Sequence, residues 1–93
     1  MDAAGLDVRA AGAHQYDATL AVAGGSREVH VVVEDTDLEV LGVTATQEPL
    51  AVRAALEHVV AEGDPGSLPE RVGLGDLARS APGLVLAVRA VLG

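Results

Sequence analysis

The stretch Gln15-Tyr16-Asp17-Ala18-Thr19-Leu20-Ala21-Val22-Ala23-Gly24-Gly25-Ser26-Arg27-Glu28-Val29-His30-Val31-Val32-Val33 decides the fold. In its first half Tyr16, Ala18, Leu20 and Val22 fall on one side, and Asp17, Thr19, Ala21 and Ala23 on the other. Successive side chains of a strand point to opposite faces, so this period of two marks a half-buried strand. Gly24-Gly25-Ser26 follows, and glycine supplies the positive φ that a tight reversal demands. From Arg27 the alternation resumes, with Val29, Val31 and Val33 toward a core and Glu28, His30 and Val32 outward. The expectation is an antiparallel β-hairpin.

Upstream, residues 1–14 are rich in alanine and glycine and read as a flexible N-terminal tail. Leu6, Val8 and Ala10 alternate, however, and offer a further strand as the alternative. Downstream, residues 35–42 admit two readings. Leu38, Val40 and Gly42 would continue a third strand. The short helix is favoured, with Asp35 as N-cap, Leu38 and Leu41 three apart, and Gly42 at the exit. The main helix is expected from Thr46 as N-cap, with Pro49 tolerated in its first turn. Its buried stripe is Val52, Ala55, Leu56, Val59 and Val60, with Arg53 and Glu57 paired on the wet side.

Gly63-Asp64-Pro65-Gly66 stops that helix. Ser67-Leu68-Pro69-Glu70 has the spacing of a capping box and reads as another turn of helix. Leu74, Leu77 and Ala78 suggest a further short helix ended by Pro82-Gly83. The segment Leu84–Leu92 is apolar except for Arg89 and reads as a helix buried on most sides, an extra strand being the alternative. The order is therefore α+β: a hairpin, a main amphipathic helix and short C-terminal helices, in a single domain over residues 15–93.

At 93 residues and 9.4 kDa the chain supports one modest core, with a folded surface of about 5,000 Å² against about 13,600 Å² unfolded. Six arginines stand against fourteen acidic residues, a net charge of −8 with no lysine. Scattered arginines on an acidic chain make a poor match to phosphate backbones or anionic lipid, so neither nucleic acid nor a membrane is expected as partner. One tyrosine and no Phe or Trp leave little for base stacking and require a core of Val, Leu and Ala. Without cysteine there is no disulfide and no thiolate chemistry. No apolar run reaches the roughly 20 residues of a membrane helix, and the start lacks a signal-peptide pattern; a cytoplasmic location is expected.

The motifs with chemical content are weak. His14, His30 and His58 lack the short paired spacing of metal ligands. Asp35-x-Asp37-x-Glu39 opens like a calcium loop but has Val40 and Thr46 where that loop needs Gly and Glu. Gly73-x-Gly75-x-x-Ala78 matches a dinucleotide fingerprint only on paper, because no acidic residue follows it. No metal and no cofactor is expected, and no small molecule is indicated. Tyr16, His30 and His58 are the groups to inspect for a pocket between hairpin and helices.

Tyr16-Asp17-Ala18-Thr19-Leu20, His30-Val31-Val32-Val33, Ser67-Leu68-Pro69-Glu70-Arg71-Val72-Gly73-Leu74 and Arg79-Ser80-Ala81-Pro82-Gly83-Leu84 carry a resemblance over residues 16–92. The chain resembles a family of small, functionally uncharacterised bacterial proteins of actinobacterial type. The resemblance implies a Tyr-led hairpin followed by helices and brings no activity. The chain departs from that pattern where the family has aromatic residues in its tail, carrying Val72, Ser80, Ala81 and Leu84 instead.

What stands out is apolar excess: 49% of residues are hydrophobic and the mean hydropathy is +0.34. A two-stranded hairpin leaves two open edges, and a helix apolar nearly all round cannot hide every side in one groove. The expectation is a non-catalytic interaction or regulatory module. It would self-associate, by hairpin edges or by Leu84, Val85, Val88, Val91 and Leu92 of the C-terminal segment, or bind another protein through that segment. The alternative is a small-molecule binder or small enzyme.

Overall fold

The alternating stretch forms strands β2 (Gln15–Val22) and β3 (Gly25–Val32) of a computed structural model that describes residues 6–22, 24–62, 65–81 and 83–92. Residues 1–5, Ala23, the Gly63-Asp64 helix stop, Pro82 and Gly93 lie outside the described residues. Tyr16 stands opposite Val31, Asp17 opposite His30 and Ala18 opposite Val29. Gly24 takes a φ of +85°, which only glycine adopts without strain. Tyr16, Ala18, Leu20, Val29, Val31 and Val33 are all buried, as the alternation requires.

Residues 6–12 follow the alternative reading rather than that of a flexible tail: the alternating Leu6, Val8 and Ala10 lie in β1 (Leu6–Gly12). It pairs antiparallel with β2, placing Leu6 opposite Leu20 and Val8 opposite Ala18. Alanine and glycine have poor strand propensity, but the open edge of β2 offers a row of unpaired N–H and C=O groups, and Leu6 gains burial there.

A second correction concerns Ser67–Glu70. A 3₁₀ turn over Pro65–Ser67 leads not into a helix but into β4 (Arg71–Gly73). This short strand pairs parallel with β3, His30 opposite Arg71 and Val31 opposite Val72. Satisfying the β3 edge and burying Val72 outweigh a four-residue capping signal. The Arg27 guanidinium holds the approach to β4 by donating to the carbonyls of Gly66 and Leu68. The sheet order is β1-β2-β3-β4. Both edges of the hairpin are therefore engaged within the chain, and β3 is covered over His30–Val32.

The helices are α1 (Asp35–Leu41), α2 (Glu48–Glu62), α3 (Leu74–Ser80) and α4 (Leu84–Leu92). The N-cap of α1 is Glu34 rather than Asp35, because Asp37 at the third helical position reaches back to accept from the Glu34 N–H at 3.0 Å. Gly42 closes α1 in the left-handed region at φ +71°. Before α2 the cap is Thr44 rather than Thr46. Its hydroxyl accepts from the Gln47 N–H at 3.3 Å while its own N–H donates to Gln47 Oε1 at 3.1 Å, opening a 3₁₀ turn over Ala45–Gln47 that runs into α2. Arg53 and Glu57 pair at 3.5 Å as expected.

One cluster joins the inner face of the sheet to Leu38 and Leu41 of α1, Ala51, Val52, Ala55, Leu56 and Val59 of α2, Leu74 and Leu77 of α3, and Leu84 and Val88 of α4. Apart from Tyr16 its members are all Leu, Val and Ala. The radius of gyration, 12.0 Å, matches a compact domain of this length. The helix α4 departs from expectation: Leu84 and Val88 are fully buried, whereas Leu86 is 72% and Val91 63% exposed. A helix laid on one side of a core can turn only one face inward.

Candidate functional site

Glu48, at the start of α2, is the one buried charged residue among the described residues, at 4% exposure. An isolated buried carboxylate would be costly, so it must be paired or hydrogen-bonded. The Tyr16 hydroxyl on β2 donates to Oε2 at 2.7 Å, and Nδ1 of His14 donates to Oε1 at 2.7 Å. His14 sits in the β1–β2 turn at φ +58°, a left-handed position that histidine tolerates better than branched residues. Its carbonyl accepts from the Val33 N–H at 2.9 Å, so the same turn is tied to the end of β3.

The electrostatics follow from this geometry. Burial, then the hydrogen bond to Glu48 and the nearby negative charge, push the Tyr16 phenol up to about 12. The hydrogen bond to Glu48 and its charge raise His14 above the ordinary histidine value, with Asp35 adding to the effect and desolvation opposing it. Both carboxylate oxygens are occupied by short donors. The arrangement is a clasp that ties turn, sheet and helix together.

His30 lies on the opposite face of the sheet from Tyr16, as alternation places it. Its Nδ1 donates to Asp17 Oδ1 at 2.8 Å, and its Nε2 faces Gln15 Oε1 at 3.1 Å. Both ring nitrogens are thus held by cross-strand neighbours, the packing role that in-register pairs provide. His58 is half-buried on α2, its ring beside Gly83 at the entry to α4. The structure therefore does not bring Tyr16, His30 and His58 together. No group of three or more His, Asp or Glu side chains among the described residues is placed to hold a metal ion, and no helix among them is long and apolar enough to cross a membrane.

Of the C-terminal residues singled out from sequence, Leu84 and Val88 belong to the core, Val85 and Leu92 are half-buried, and Val91 is exposed. The exposed residues of α4 are instead Leu86, Arg89, Ala90 and Val91, with Ala87 half-covered beside them. Sequence reasoning missed Glu48, His14 and Leu86. A glutamate in the first helical turn has an ordinary explanation in the helix dipole, which concealed the first of these. The pattern at 86, 87, 90 and 91 could have been read as a second helical face beside 84 and 88. No family model matches the chain, and no curated protein or solved structure matches it.

Proposed function

We propose that this domain is a non-catalytic interaction module that pairs with a second copy of itself through the outer face of α4. The observation that carries the reading is Leu86, 72% exposed in a helix whose one charged residue, Arg89, is exposed but tied to α1 by donating to the Leu41 carbonyl at 3.1 Å. Leu86, Ala87, Ala90 and Val91 lie at i, i+1, i+4 and i+5, one contiguous apolar stripe. Its two alanines permit close helix approach. About a two-fold axis, Leu86 of one copy would rest against Ala90 of the other, the self-complementarity that isologous interfaces need. Fully burying a leucine is worth roughly 1.5–3 kcal/mol, so a doubled patch supplies a real driving force.

Light scattering at tens of micromolar tests this. A species of twice the 9.4 kDa chain mass is expected, and Leu86→Asp should return it to the mass of one chain with its circular dichroism unchanged. A wild-type protein that scatters as one chain at every concentration overturns the reading. A cytoplasmic location accords with the acidic, cysteine-free composition, a bacterial origin rests on the resemblance carried by residues 16–92, and both are part of the same proposal.

A further inference from the structure

Strands β3 and β4 run parallel and end side by side at Val32 and Gly73. Each then turns directly into a helix, α1 after β3 and α3 after β4. Each exit carries an aspartate at the third helical position. Asp37 at the third position of α1 folds back onto the Glu34 N–H, and Asp76 at the third position of α3 folds back over Gly73, its Oδ2 3.2 Å from where a β-carbon would stand. A side chain at Gly73 would crowd Asp76, and one at Gly75 would collide with the Asp37 carboxylate, so both glycines keep the space between the exits open. That space is a cleft of about 440 Å³ lined by Glu34, Thr36, Asp37, Arg71, Asp76 and Arg79 over a floor of Val32, Val72 and Gly73. The volume falls within the range of small-molecule sites.

The charges decide what fits. Asp76 is paired with Arg79, and Asp37 is engaged by the Glu34 N–H. The guanidinium of Arg71, by contrast, has no hydrogen bond or ion pair with any described residue, though it lines the cleft. A guanidinium is a rigid fork matched to a carboxylate. Three acidic side chains against two arginines would repel a ligand that is only an anion, and a ligand that is only a cation would face Arg71. We infer that the cleft binds a small zwitterion of the α-amino-acid class, its carboxylate on Arg71 and its ammonium among Glu34, Asp37 and Asp76.

The site is separate from the α4 face, so its failure leaves the self-association reading intact. The test is a nitrogen–proton correlation titration with the proteinogenic L-α-amino acids one at a time, alongside sodium acetate and methylammonium chloride. At least one amino acid should shift the amides of Val32, Gly73 and Asp76 saturably at millimolar concentration or below, at least tenfold more tightly than acetate or methylammonium. Arg71→Gln, an exposed substitution whose spectrum reports its own folding, should weaken that binding at least tenfold. The inference is overturned by no saturable shift with any amino acid, by acetate or methylammonium binding as well, or by a folded Arg71→Gln protein that binds unchanged.

Discussion

Replacing Tyr16 by Phe removes one atom and asks how much the clasp on Glu48 contributes. The phenol is the donor of a 2.7 Å hydrogen bond to a carboxylate that is 4% exposed. Hydrogen bonds to charged groups contribute about 1.5–3 kcal/mol, and an acceptor left short of a donor in the interior loses that and regains no water. At about 2.1 cal/mol/K of unfolding entropy per residue the chain unfolds with about 0.2 kcal/mol/K, so the melting temperature should fall by about 8–15 °C. Thermal melts followed by far-ultraviolet circular dichroism measure this. Melts of Glu48→Gln and of the double variant complete the cycle, with a coupling of about 1 kcal/mol or more expected between residues in contact.

A second readout is specific to the phenol, because Tyr16 is the one tyrosine and there is no tryptophan. Its ionisation, followed by tyrosinate absorbance, should be centred near 12 rather than 10.0. The folded protein keeps a proton that the unfolded chain releases. The associated stability is therefore complete below pH 10.0 and lost as pH rises toward about 12. The loss is on the order of 2–3 kcal/mol. A phenol that titrates at its ordinary value, together with a Tyr16→Phe melt within about 2 °C of wild type, would refute the reasoning.

Other substitutions test other joints of the fold. His14→Asn keeps a side chain that tolerates the left-handed turn but loses the charge. Because the histidine value is raised, wild type should exceed the variant in urea midpoint at mildly acidic pH. The advantage should vanish as pH rises through the raised value, and a difference independent of pH would count against the pairing. Gly42→Ala forces a β-carbon into φ +71° and to 3.1 Å from the Arg89 guanidinium. Chemical denaturation should show a loss of about 1–2 kcal/mol. Leu84→Ala should cost about 2–5 kcal/mol, while Leu86→Ala, on the same helix, should stay within about 0.5 kcal/mol for a single chain. Equal losses would mean that the assignment of inner and outer faces of α4 is wrong.

The hairpin was legible because its information is local. Alternation fixes which of Tyr16, Asp17, Ala18 and Thr19 turn inward, and Gly24 fixes where the chain reverses, with no knowledge of what lies elsewhere. The helices α1, α2, α3 and α4 were readable for the same reason, from caps and apolar spacing. Caps misplaced by one or two residues, at Asp35 and Thr46, reflect neighbours of similar chemistry competing for the same helix end. What sequence could not supply were the pairings that depend on a partner distant along the chain. Residues 6–12 and 71–73 have little strand propensity of their own, and became strands because the hairpin presented unpaired edges. Glu48 became a clasp because folding carried it to Tyr16 and His14, which are 32 and 34 residues away. Which face of a helix apolar but for Arg89 ends in water was likewise undecided until the core filled. Local periodicity is set by neighbours along the chain, whereas edge pairing, charge burial and the choice of the wet face are settled by whichever distant surfaces the completed core brings together.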